Sequence, residues 1–271
     1  MTPVFCCGFE CGAVSQHWTG SGNGFSFDAS VFRSGLRSFK AAPTSGNSCQ
    51  LASSGVSFTT AGVLRFYVNI TATPSNDIFI GGFTVTTGGA GIGVCYKQSD
   101  NSFYIGRVSG GAFTFGISGI AVTSGWHRID ITVNVSNNPW VVGAQIDGVA
   151  LSSPTFNLAA NTISNITLGF VVPVTSGEAY YDDVLCSQTL GDYLLGAGYV
   201  HPFTLTSDGT HNVAGTGDFR RTLTTTDILN STTDAYQLID DVPLKSSISD
   251  FINCLAPPNS TDYVELKFGP A

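Results

Sequence analysis

Charge is scarce in this sequence: 11% of its 271 residues are Asp, Glu, Lys or Arg, about half the usual share. Glutamate occurs only at positions 10, 178 and 265, histidine only at 17, 127, 201 and 211, and methionine once. The eleven basic residues never cluster beyond Arg220-Arg221, and the net charge is −8, which excludes a surface built to track a phosphate backbone. Apolar runs such as Val171–Val174, after Leu168-Gly169-Phe170, are far short of a membrane span, so no membrane insertion is expected. The N-terminal Met-Thr-Pro-Val-Phe-Cys-Cys has no basic region followed by an apolar stretch, so a soluble protein made in the cytoplasm without an export signal is expected. No ten-residue stretch before position 190 carries a helical period.

The seven cysteines, at 6, 7, 11, 49, 95, 186 and 254, are an odd number in a chain too long to need a disulfide framework, so free thiols are expected. Cys6, Cys7 and Cys11 have no second Cys/His pair at finger-like spacing, which argues against zinc. Cys95 and Cys186 fall in strand-like runs and read as small buried apolar residues.

The sequence is rich in turn formers and β formers. Glycine occurs 32 times, and hydrophobic and aromatic residues make up 42% and 11% of the chain. Short runs enriched in β-branched and aromatic residues recur at Val63–Ile70, Asp77–Val85, Gly91–Lys97, Ser102–Val108, Ala112–Ile117, Trp126–Asn134, Trp140–Ile146, Ile163–Val172 and Glu178–Leu185, divided by Gly, Ser, Thr and Asn. This spacing predicts an antiparallel β-sandwich over residues 1–190. The first two runs read as a hairpin across the Pro-Ser-Asn turn at 74–76. Alternation directs Ile129, Ile131 and Val133 to the core, Trp126 also fits a core position, and Asp147-Gly148 is a hairpin-turn signal. The glycines at 88–93 have neither a phosphate-binding Lys nor a following helix and read as a turn or bulge.

Composition shifts near Leu190. Residues 1–190 carry seven Lys/Arg against nine Asp/Glu, a net of −2, whereas 191–271 carry four against ten, a net of −6. The second region therefore reads as an extended acidic C-terminal arm or small assembly region whose burial comes with oligomerisation. Within it, Ile248–Leu255 is a helical turn or a loop.

The order of Gly8-Phe-Glu-Cys-Gly12 with Trp18, Ser34-Gly-Leu-Arg-Ser-Phe39, Leu64-Arg-Phe-Tyr67, Gly125-Trp-His-Arg-Ile129, Gln145-Ile-Asp-Gly148 and Tyr180-Tyr-Asp-Asp-Val184 resembles bacteriophage virion proteins with a concanavalin A-like, laminin-G-like jelly roll. The stretch Pro257-Pro258-Asn-Ser-Thr-Asp-Tyr-Val264 resembles the region that follows the jelly roll in them. The resemblance implies two packed antiparallel sheets and a non-enzymatic structural role in the virion, as a capsid decoration or tail-surface subunit contacting other virion proteins and further copies of itself. A different class of function, a carbohydrate-binding adhesion module recognising host-surface glycans, suits the same layout.

Glycoside hydrolases of this architecture need two carboxylates flanking the scissile bond, commonly as Glu-x-Asp-x-x-Glu on one strand face. Three scattered glutamates do not supply it, and Asp182 and Asp183, being adjacent, are expected on opposite faces of a strand. No nucleophile elbow with a matching His is present, and His127 reads as packed within its strand. In sugar-binding sandwiches of similar layout an early Glu and a late strand Asp hold a structural Ca²⁺, which makes Glu10 with Asp182 or Asp183 the metal candidates, Asp28 and carbonyl oxygens completing the shell. No other cofactor is implied. Aromatic rings stack on sugars, and Trp18, Trp140 and Tyr181 are the glycan-binding candidates. The five Asn-x-Ser/Thr sequons, at Asn69, Asn134, Asn165, Asn230 and Asn259, are expected by chance in so Thr-rich a chain and to carry no sugar.

Overall fold

A computed structural model describes residues 5–9, 18–44, 46–53, 56–85, 91–136, 139–152, 154–156 and 162–191, with short stretches at 205–211, 219–220, 253–254 and 264–268. The chain divides into two compact units, 1–200 and 201–271.

The first unit is an all-β sandwich. One sheet is formed by β1 (Phe5–Cys7), β3 (Phe25–Asp28), β4 (Ser38–Ala41), β6 (Ala61–Ala72), β11 (His127–Asn134), β12 (Trp140–Ile146), β13 (Val149–Ala150), β14 (Thr155–Phe156) and β16 (Glu178–Ser187). Its main path runs β13-β12-β11-β6-β16-β4-β3, with β1 also on β16 and β14 on β12. The other sheet holds β2 (Trp18–Gly22), β5 (Asn47–Ser53), β7 (Ile78–Val85), β8 (Gly91–Lys97), β9 (Ser102–Ser109), β10 (Ala112–Ala121) and β15 (Ile163–Val174), in the order β10-β9-β8-β7-β15-β5-β2. All pairings are antiparallel.

Period-two alternation builds the core from both inner faces. Leu64, Phe66, Val68, Ile129, Ile131 and Val133 from one sheet join Phe83, Ile92, Val94, Phe103 and Ile105 from the other in one buried cluster. Strand positions follow the sequence pattern closely; partners do not. The runs 63–70 and 77–85 are not a hairpin, because β6 pairs with β11 and β16 while β7 pairs with β8 and β15. The 73–77 connection instead carries the chain from one sheet to the other, and buried Pro74 sits within it. Gly91 and Gly93, which open the strand-like run 91–97 and also belong to the glycines read as a turn or bulge, lie inside β8. Asp147-Gly148 does close a hairpin between β12 and β13, with φ of 53° and 86°, the left-handed pair that such two-residue turns require.

The second unit contributes two short antiparallel pairs: β17 (Leu205–His211) with β20 (Val264–Phe268), and β18 (Phe219–Arg220) with β19 (Asn253–Cys254). Asn253-Cys254, within the segment read as helical turn or loop, is thus strand. Among the described residues Cys49, Cys95 and Cys186 are free thiols. Burial pushes the Cys49 and Cys186 thiols up to about 11 and about 12, as expected of inert packed cysteines. No helix among the described residues is long and apolar enough to cross a membrane.

Candidate functional site

The three aromatic residues expected to meet sugar are core residues. Tyr181 is fully buried between Phe39 and Phe66, with ring centroids 5.5 and 6.2 Å away. Trp18 and Trp140 are 4% and 1% exposed, and Trp18 packs on Phe9 at 5.8 Å. Their positions alternate onto the inner faces, where a large ring gains more from apolar contact than it would from a solvated sugar. Trp126, expected inside, is the tryptophan left half-buried, immediately before β11.

Asp182 and Asp183 are buried on β16 but do not point to opposite faces. The strand bulges between Asp182 and Leu185, and Asp183 takes φ 48°, so both carboxylates reach the 33–34 segment. Asp182 Oδ2 accepts from the Arg33 and Ser34 backbone N–H groups at 2.8 and 3.2 Å, and its Oδ1 from Asp183 N–H at 2.7 Å. Asp183 accepts from Ser34 Oγ at 2.6 Å and pairs with the Arg33 guanidinium, which itself stacks on Tyr67. Asp28 Oδ1 closes a local turn, accepting from Ser30 N–H, Ser30 Oγ and Val31 N–H. Glu10 lies outside the described residues. These carboxylates are engaged by N–H, hydroxyl and guanidinium donors, a donor set that does not fit a hard cation, and among the described residues no three Asp, Glu, His or Cys gather at one point. The arrangement clasps the 33–34 loop to the sheet.

Other buried charge is also internally paired. Asp130 bridges Arg65 at 2.5 Å and Arg128 at 2.8 Å on the outer side of β6 and β11. His127 is packed against Phe103, with Nδ1 2.7 Å from Asp147 Oδ2 and Nε2 3.0 Å from the Thr123 carbonyl oxygen.

The open site lies on the outer side of the seven-stranded sheet. In register across it, Thr167, Gly82, Gly93, Gly106 and Phe115 form one row. A Cβ at Gly82 or Gly93 would collide with the backbone of the neighbouring strand, and one at Gly106 with Cys95 Sγ; Phe115, opposite Gly106, packs with Phe113, Val171 and Val172 onto a second buried cluster of Phe79, Cys95 and Val108, separate from the sandwich core. Phe113 and Phe115 are stacked, 5.7 Å apart and 10° from parallel, and Tyr104 meets Phe115 edge-on at 5.5 Å. Tyr104 donates to Asp100 at 2.7 Å, and that hydrogen bond raises the phenol and lowers the acid. Lys97 pairs with Asp100 at 3.3 Å and lies over Tyr104.

Beside this aromatic group is a cleft of ≈ 440 Å³ lined by Ser75, Asn76, Asp77, Gln98, Ser99, Gly111, Phe113 and Val172. Residues 98–99 follow β8 and Gly111 follows β9, so segments from opposite ends of neighbouring strands line one open cleft. Asp77 Oδ1 accepts from the Gln98 N–H at 2.8 Å, and Ser75 Oγ lies 3.1 and 2.9 Å from the Thr175 N–H and Oγ1, which fixes both rims. Sequence reasoning passed over these residues: Ser75 and Asn76 are ordinary turn residues, and only the crossing between sheets brings them to Gln98 and Phe113.

No family model and no curated protein matches the sequence. Among solved structures, the chain is similar to the cellulose induced protein Cip1, at 15% identity over 68% of this chain and 97% of that one, TM-score 0.53. A glycosyl hydrolase family protein from Mycobacterium fortuitum matches at 13% identity, covering 69% of this chain and all of that one, TM-score 0.47. A botulinum neurotoxin type C structure, whose title ties cell entry to interaction with two ganglioside molecules, matches at 12% identity over 64% of this chain and 43% of that one, TM-score 0.42. These identities speak to fold, and the fold is an antiparallel jelly-roll sandwich of the concanavalin A-like type.

Proposed function

We propose that the sandwich is a non-enzymatic carbohydrate-recognition module that binds glycan in the cleft beside Phe113. The observation that supports this most directly is the composition of the cleft: two hydroxyls, two amides and one carboxylate around a partly exposed aromatic ring. A sugar ring has the complementary chemistry, with C–H faces for an aromatic and hydroxyl edges for fixed polar groups. The volume falls within the range of ligand pockets, roughly 300–1,000 Å³. Titration of the full chain with a panel of oligosaccharides is expected to find ligands whose affinity falls at least tenfold in Phe113→Ala, corresponding to about 1.4 kcal/mol. Unchanged affinity in that variant contradicts the assignment.

A phage setting, supported by the resemblance of residues 1–190 and 257–264 to virion proteins, determines where such a module works and not how it binds. Host-cell glycans are then the target, and residues 191–271 supply contacts with virion proteins or further copies. Deleting 191–271 is expected to abolish incorporation into particles, as read by cosedimentation; normal incorporation contradicts an assembly role for the arm.

A further inference from the structure

We infer that the cleft discriminates by charge and takes neutral glycans in preference to acidic ones; this rests on the glycan-binding reading above and adds to it the class of sugar. Its lining contains one ionisable side chain, Asp77, and no Lys, Arg or His. Lys97, the residue before Gln98, is paired with Asp100 at 3.3 Å and lies over the Tyr104 and Phe115 rings, 5.2 and 5.8 Å from their centroids. Lys97 and Asp100 cancel, which leaves the field in the cleft negative. Asp77 is held in place by the Gln98 N–H, so it cannot swing away from an incoming anion, and its free carboxylate oxygen accepts hydrogen bonds but donates none. A sugar hydroxyl satisfies that oxygen. A uronate or sialate carboxylate brought near it meets like charge without a compensating donor.

Asn76, Gln98, Ser75 and Ser99 are uncharged at every pH near neutral and read hydroxyls of either kind of glycan, so the discrimination is assigned to Asp77. In Asp77→Asn the side-chain oxygen still accepts from Gln98 and the charge is gone; in Asp77→Lys the sign is reversed.

The test is titration of the full chain, followed by calorimetry or NMR, with gluco-oligosaccharides and with glucuronate oligosaccharides of the same length and linkage. The neutral series is expected to bind at least tenfold more tightly. The preference is expected to shrink in Asp77→Asn and to turn toward the uronates in Asp77→Lys, with circular dichroism showing that both variants stay folded. Equal binding of the two series to the unaltered protein, or a preference that both substitutions leave unmoved, overturns the charge inference while the glycan-binding reading stands. Failure of a broad panel of neutral and acidic glycans to bind overturns both.

Discussion

At Asp182 burial, and after it the neighbouring Asp183 carboxylate, outweighs three backbone N–H donors and pushes the acid up to about 7. An unfolded chain releases that proton near 3.8, so between these values the native state holds a proton the unfolded state has lost, and stability falls as pH rises. The contribution is fully present below the unfolded value, declines through the interval by up to about 1.4 kcal/mol per pH unit, and is gone above the folded one. In urea denaturation from pH 4 to 8, the stability of the wild type minus that of Asp182→Asn is expected to fall toward alkaline pH; a difference that does not change with pH contradicts this. The sequence marked Asp182 and Asp183 as notable residues but not for what they do, because a one-residue bulge and a left-handed φ are not visible in the run Tyr-Tyr-Asp-Asp-Val. Trp18, Trp140 and Tyr181 lie in the core for a related reason. An aromatic residue in a strand is core or surface according to its register, and one position of register reverses the answer.

The strands themselves were legible because alternation and turn chemistry are local. Residues 91–97 and 140–146 coincide with β8 and β12, and Ile129, Ile131 and Val133 are fully buried as their alternation requires. Pairing was not legible: nothing in residues 63–85 announces that the chain changes sheets at Pro74, although that crossing delivers Ser75, Asn76 and Asp77 to the cleft. At Gly93 the two kinds of information meet. A Cβ there would lie 2.3 Å from the Gly81 carbonyl oxygen and 2.6 Å from Gly82 Cα, a collision with backbone that no rotamer relieves. Gly91, two residues earlier on the same strand, would meet only the Val108 methyl at 3.0 Å and the Phe79 ring beyond it. Gly93→Ala is therefore expected to cost at least the roughly 1–3 kcal/mol of an overpacking substitution, and Gly91→Ala much less. Equal melting temperatures for the two variants contradict the close approach of β7 and β8.

For the whole molecule, low charge and abundant Gly, Ser and Thr are what a two-layer β-sandwich with polar turns requires. The same composition leaves the surface with few strong electrostatic features. The proposed function rests on a place where topology gathers weak ones: hydroxyls and amides from two turns, a carboxylate at a sheet crossing, and a partly exposed aromatic group. None of these residues is unusual by itself, which is why the site was not legible before the fold, while the sandwich class was. The measurement that tests the account most directly is NMR mapping of the full chain during titration with a neutral oligosaccharide. Saturable shifts confined to the amides of Asn76, Asp77, Gln98, Ser99, Gly111 and Phe113 are predicted. Shifts centred on the outer face around Arg65 and Asp130, or no saturable shifts with any glycan, would contradict it.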